Sequence, residues 1–242
     1  MIPEEMTIDD LLGWANGLGL CTFKKQRGFF GDEIVYCDTG MEFPQMYDHL
    51  AKIESYTGRE ITRLRAEKSF AHYMYDHRRS RGKFSGIRGY GWPRPRARWC
   101  TAYLKTKVID AYFRELEKTH EVVHYVGIAA DEQHRAKDKR YPLIEWGITE
   151  EQALQYCYER GFDWGGLYQI FGRVSCWLCP LQPLSELRKL RKHFPDLWRY
   201  LIEMDDKAWN TFRIGCSVRQ LDERFSMEEA QMEIDFGGDY DG

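Results

Sequence analysis

Three cysteines in two separated stretches constrain this chain more than any other feature: Cys100 in Arg98-Trp99-Cys100-Thr101, and the pair in Ser175-Cys176-Trp177-Leu178-Cys179-Pro180. A Cys-x-x-Cys turn joined by a third thiolate from 76 residues upstream is how a fold assembles a soft-metal or iron–sulfur site, because thiolates are the donors such centres take. Sharing one centre would tie the stretches around residues 100 and 176 into one domain. On spacing alone a structural zinc knuckle, an iron–sulfur cluster and unliganded thiols all stand open. Cys157 and Cys216 are candidates for a fourth ligand and neither is assigned; Cys157, between Leu154 and Tyr158, reads as core packing, and Cys21 and Cys37 read as small buried hydrophobes.

At 242 residues the chain fits one α/β domain with an appendage. The hydrophobic share of 43%, with 8 Trp, 15 Tyr and 13 Phe, supplies a substantial core, and no apolar run is long enough to cross a bilayer. Met1 to Asp10 carries acids rather than the basic and apolar regions of a signal peptide, and seven irregularly spaced cysteines do not look like a secreted disulfide framework. A cytoplasmic location without membrane contact is expected. The net charge of −3 hides an asymmetry, since residues 78–98 hold eight basic side chains and no acid, whereas from Asp222 onward eight carboxylates face Arg224 alone. The basic loop, with Phe84, Tyr90 and Trp92, suits a nucleic acid held by charge and stacking, a lid over a phosphorylated ligand, or a solvated surface. It reads as a long loop ordered only by its ligands.

Glu33 to Cys37 is a β-rich run ending in Asp38-Thr39-Gly40, and Pro44 opens a helix with Met46, Leu50 and Ile53 on one face, closed by Gly58. Ile61 to Leu64 reads as the next strand, and Phe70 to Asp76 as a helix running into the basic loop. Leu104, Val108, Tyr112 and Leu116 mark a helix face, and Val122 to Ile128 suits a buried parallel strand followed by Asp131, Glu132 and Arg135. Thr149 and Gln152 stand in capping-box register before a helix that stops near Gly161, and further helices are expected over Leu184 to Lys192 and from Pro195. Strands alternating with helices argue a parallel sheet, whose ligands sit at the carboxyl ends of the strands. Asp38, Thr39 and Gly40 would then be ligand contacts or a helix-capping loop, and Asp131, Glu132 and Arg135 an anion-binding group or an exposed ion pair.

Five segments in unbroken order, Val35 to Pro44, Arg98 to Thr101, Gly127 to Arg135, Tyr141 to Trp146 and Cys176 to Pro180, resemble the phosphoadenosine-phosphosulfate (PAPS) reductase family over about residues 32–225. The resemblance implies a three-layer, parallel-sheet adenine-nucleotide α-hydrolase-like fold with a helical C-terminal part. It also implies a nucleotide pocket for ATP or PAPS at Asp38, Thr39, Gly40, Asp131, Glu132 and Arg135, and an iron–sulfur cluster rather than zinc on Cys100, Cys176 and Cys179. Arg98, whose charge favours the Cys100 thiolate, and Arg173 are the expected anion contacts.

The chain departs from the family's pattern at both ends. Residues 1–31 contain no Ser-Gly-Gly-Lys-Asp-Ser phosphate loop, so the usual first strand and its pyrophosphate-binding helix terminus are not expected, and the tail has no catalytic cysteine. An atypical segment 1–31, an α/β domain 32–225 and a flexible acidic tail 226–242 are therefore expected, with the vacated strand position compensated, for example by a second subunit of a homo-oligomer. The functional expectation is nucleotide-dependent sulfur transfer or reduction at a cysteine-bound centre. Its rival is a catalytically degenerate nucleic-acid-binding or scaffold protein that keeps a structural zinc knuckle.

Overall fold

The computed structural model describes residues 21–24, 33–80, 82 and 84–237, with backbone alone at 21–24 and 232–237. The chain is mixed α/β and divides into two compact units, each built from two stretches: Met1–Glu67 with Thr101–Tyr168, and Lys68–Cys100 with Gln169–Gly242. The single domain expected over 32–225 is therefore split between them.

The first unit holds a four-stranded sheet of β1 (Cys21–Lys24), β2 (Glu33–Asp38), β3 (Ile61–Arg65) and β4 (Val122–Tyr125), in the order β3-β2-β1-β4. Strands β2 and β3 pair in parallel, from Ile34 opposite Ile61 to Asp38 opposite Arg65. Their connection carries α1 (Pro44–Thr57), which starts on Pro44 and ends where Gly58 takes φ +64°. Its buried face is His49, Leu50 and Ile53.

β1 lies between β2 and β4 and runs antiparallel to both. The strand position expected to be vacant is thus filled from within the chain. Only residues 25–32 separate β1 from β2, too short for the crossover of a dozen or so residues that a parallel pair requires, so the antiparallel sense follows from the connection length. The expectation of a buried parallel strand over Val122 to Ile128 is corrected accordingly. β4 stops at Tyr125, is buried only at that residue, and its neighbour in the sheet is antiparallel. Its far side is covered by Arg140, whose N–H donates to the His124 carbonyl at 2.9 Å and whose carbonyl accepts from Val126 N at 3.0 Å.

The helix expected from Leu104 begins as a π-helical stretch, Thr101–Thr106, before becoming α2 (Lys107–Leu116). A π turn spends one more residue than an α turn, so the buried series runs Leu104, Ile109, Phe113, and the predicted Val108, Tyr112 and Leu116 shift to its flank. Ile109 and Phe113 pack with Val35 and Cys37 of β2 as one apolar cluster. Next, α3 (Glu150–Glu159) opens with the expected reciprocal cap: Gln152 N donates to Thr149 Oγ1 at 3.3 Å and Thr149 N to Gln152 Oε1 at 3.0 Å. Beyond Gly161, the buried Trp164 takes φ +51°, the one non-glycine residue with positive φ among those described. Its ring stacks on His49 at 4.6 Å, an aromatic contact that offsets the backbone cost.

In the second unit α4 (Leu184–His193), α5 (Pro195–Lys207) and α6 (Val218–Gly237) bury Leu187, Leu190, Trp198, Leu201, Val218, Leu221 and Phe225. The acidic segment expected as a flexible tail from residue 226 is helical to Gly237, and residues 238–242 lie outside the described ones. Its carboxylates have partners: Arg188 donates to Glu228 at 2.8 and 2.7 Å, and Arg191 reaches Asp222 at 2.7 Å and Glu229 at 2.6 Å. Such exposed pairs are individually weak, but here they cross-link α4 and α6 as a network.

The basic loop is folded by protein contacts, which corrects the expectation that only ligands order it. Trp92 is buried; its backbone N–H donates to Asn210 Oδ1 at 2.7 Å and its indole N–H to Asp205 Oδ1 at 2.8 Å. The other Asp205 oxygen accepts from Val218 N at 2.7 Å. Burial raises the Asp205 carboxyl above the usual range despite these donors, which makes it a costly but specific anchor. Gly89 and Gly91 complete the fit: a Cβ at Gly89 would lie 2.0 Å from the Met74 carbonyl oxygen, and one at Gly91 would lie 2.0 Å from Asn210 Oδ1.

Candidate functional site

The candidate residues fall into two sets, one in each unit. In the first unit, parallel pairing brings the carboxyl ends of β2 and β3 level, so Asp38 and Arg65 are register partners. Asp38 is only 4% exposed and its carboxylate is fully engaged. Oδ1 accepts from Gly40 N at 2.7 Å and from the Tyr47 hydroxyl at 2.9 Å, and Oδ2 accepts from Arg65 Nε at 2.8 Å and from Arg65 Nη2. Burial pushes this carboxyl up, but the Arg65, Gly40 and Tyr47 bonds together outweigh it and leave it below the usual carboxylate range. Burial and the Asp38 charge in turn raise the Tyr47 phenol.

Glu42 closes the same turn. Its Oε1 accepts from Thr39 Oγ1 at 2.8 Å, and its Oε2 accepts from Thr39 N at 3.2 Å and Met41 N at 3.1 Å, while Lys105 stands 3.7 Å away. The successive N–H groups of Thr39, Gly40 and Met41 therefore all point at carboxylate oxygens of the chain itself. Successive backbone N–H groups of this kind suit an anion, and a phosphate reaching Thr39 and Met41 would have to displace Glu42. Gly40 sits exposed at φ +74° with no atom near a would-be Cβ, so the turn's conformation rather than close approach calls for glycine.

Asp131, Glu132 and Arg135 lie on a short 3₁₀ stretch, Ala130–Arg135, after β4. Asp131 Oδ1 accepts from Glu150 N at 3.1 Å at the start of α3, and Arg135 pairs with Glu132 three residues before it. The local ion pair weighed from sequence is present. Tyr47, Glu42, Arg65 and Lys105 were missed by sequence reading; Arg65 alone carried a signal, as the last residue of the second parallel strand.

The other set, Arg98, Cys100, Arg173, Cys176 and Cys179, belongs to the second unit. Cys176 and Cys179 share one turn, closed by Cys179 N donating to the Cys176 carbonyl at 3.2 Å and held by Gln182 Nε2 donating to that carbonyl at 2.8 Å. Arg213 Nη1 donates to the Gln182 carbonyl at 3.2 Å, and Arg213 exchanges backbone hydrogen bonds with Cys216 across a turn containing Gly215. All four thiols, Cys100 included, are half-buried. By donor chemistry Cys100, Cys176 and Cys179 fit a soft centre. By placement they do not, because among the described residues no group of three or more His, Cys, Asp or Glu stands in position to hold a metal ion. Arg98 and Arg173 are exposed and have no carboxylate partner among the described residues.

The remaining cysteines behave as packing. Cys37 donates its thiol to the Leu104 carbonyl at 3.0 Å and burial raises it to about 11; Cys157 is fully buried and raised by burial to about 12. Cys21 has its side chain outside the described residues.

The chain is 26% identical over 188 residues to the uncharacterized protein MJ0066 of Methanocaldococcus jannaschii, covering 69% of this chain and 34% of that protein. It is 19% identical over 187 residues to the uncharacterized protein MJ0973 of the same organism, covering 71% of this chain and 41% of that one. The chain thus spans between a third and a half of the length of these relatives. No family model and no solved structure matches it. No helix among the described residues is long and apolar enough to cross a membrane.

Proposed function

We propose that this is a PAPS-reductase-like protein of sulfur metabolism, acting in the cytoplasm, that binds ATP or PAPS and performs sulfur transfer or reduction with Cys100, Cys176 and Cys179. The observation that carries the reading is the parallel β2–α1–β3 unit, which delivers the anion-suited turn 38–42 and Arg65 to one end of the sheet. The ordered motif resemblance supports the same reading. So does the strand order, in which β1 takes the central place of the missing first strand and β2, β3 and β4 share one direction; the three-layer adenine-nucleotide architecture belongs to this proposal.

In this reading the Thr39 and Met41 N–H groups take up phosphate charge as Glu42 yields, and Arg65 holds Asp38 ionised and oriented. Arg135 offers a fork for a second anionic group once released from Glu132. Arg98 and Arg173 offset anionic charge in the cysteine unit. An iron–sulfur centre on the three thiols would supply electrons or an open position for sulfur.

Anaerobic purification with iron and acid-labile sulfide analysis, together with calorimetric titration by ATP and by PAPS, tests the proposal. Iron and sulfide in equal amounts, lost in Cys176→Ser, and saturable binding of one nucleotide are expected. A colourless protein with stoichiometric zinc would reject the cluster, and heat-silent titrations confirmed by equilibrium dialysis would reject the nucleotide.

A further inference from the structure

The tip of the basic loop is a β-hairpin with an unusual charge arrangement. Arg78 and Arg88 face each other across an antiparallel bridge, which puts both side chains on one face of the hairpin, and both are exposed. Like charges directly opposite destabilise a strand pair, and neither arginine has a carboxylate partner among the described residues.

Behind them, Arg79 is half-buried among three rings, with its guanidinium carbon 5.2 Å from the Phe84 centroid, 4.9 Å from Tyr90 and 5.1 Å from Trp209. It donates Nη2 to the Tyr90 carbonyl at 2.8 Å, and its Nε has no hydrogen-bond partner. Phe84 and Trp209 stand 5.5 Å apart and each is 43% exposed. Trp209 is held in place by its indole N–H, which donates to the Gly89 carbonyl at 3.2 Å. The hairpin therefore displays two fixed, open rings backed by one unneutralised cation and flanked by two more.

We infer that Phe84, Trp209, Arg78 and Arg88 form a docking surface for single-stranded nucleic acid. Bases stack on open aromatic faces, which a guanidinium behind the ring strengthens, while the cross-strand arginines take the intervening phosphates. A duplex keeps its bases stacked on one another and has no use for the rings. A free phosphate would satisfy the arginines and leave the rings unexplained. A bilayer would take the rings only by drawing the Arg79 guanidinium towards hydrocarbon, which is costly.

Fluorescence anisotropy of the full chain with a labelled oligothymidylate tests this, each variant first being shown folded by circular dichroism. Phe84→Ala should weaken binding about 10-fold and leave its salt dependence unchanged. Arg78→Gln with Arg88→Gln should weaken it and reduce the slope of log K against log salt by about 1.4, from roughly 0.7 per phosphate on a single strand. Any of four results would overturn the inference: no binding, binding untouched by both sets of substitutions, a duplex bound as tightly as the single strand, or displacement by equimolar pyrophosphate or phosphatidylserine vesicles. The readout requires neither metal nor adenine nucleotide, so it stands or falls apart from the sulfur chemistry.

Discussion

His49 shows what a single buried side chain contributes. It lies on the core face of α1, stacked on Trp164 and edge-on to Phe162 at 5.8 Å, and burial, with Lys52 adding to it, lowers its pKa to about 4. The folded protein therefore keeps the ring neutral where the unfolded chain, titrating near its ordinary 6.5, takes up a proton. Stability should be fully present above pH ~6.5 and fall as the pH drops from there to about 4, by about 3 kcal/mol from this residue. Urea unfolding of the parent and of His49→Gln across that range checks it: the variant should start less stable and lose less. A difference between the two that stays constant with pH would show that His49 is protonated in the folded state. Sequence periodicity finds the helix but not this role, because His49 is one step off the predicted Met46, Leu50, Ile53 series and is recruited by a ring more than a hundred residues away. Asp38 was legible as a strand-end residue; that Arg65 and Tyr47 engage it was not, since register and helix packing bring them together.

Among the elements, the basic loop departs furthest from its sequence reading. Glycine, proline and arginine richness is the usual mark of a mobile segment, and what overrides it is a pair of long-range anchors, Asp205 and Asn210, on Trp92. Gly89→Ala places a methyl group against the Met74 backbone at a φ of +72°, so two penalties act at once. A loss of about 2 kcal/mol or more is expected, with hydrogen exchange accelerating at residues 84–92 and unchanged in β2 and β3. Unaltered protection at Tyr90 and Gly91, whose N–H groups donate to Tyr73 and Met74 at 2.8 and 3.0 Å, would contradict the packing account. Elements whose signals are local, the capped helix at Thr149 and the helices opened by Pro44 and Pro195, match their predicted starts. The shifted face of α2 does not, because the extra residue of its π-helical beginning leaves no mark in the spacing of apolar residues.

For the whole chain, the consequence lies in how the two units are threaded. Neither is contiguous, since residues 68–100 interrupt the sheet unit's sequence and find their partners after residue 169. A chain ending at Tyr168 would leave Trp92 without Asp205 and Asn210, exposing apolar surface around Met74 and Trp99. Such a truncation should retain protected amides in β2 and β3 and lose them throughout 72–92, read by hydrogen exchange with mass spectrometry; protection over 72–92 would refute the division. β1 carries a temporal implication as well. It occupies the sheet's interior yet bonds on one side to a strand made far later, so on the ribosome the Cys21–Lys24 segment emerges early and has only the β2 side to pair with until Val122–Tyr125 follows. Nascent chains stalled before that point would present a raw edge to chaperones, and the timing of translation through the second quarter of the message becomes part of how this protein reaches its native state.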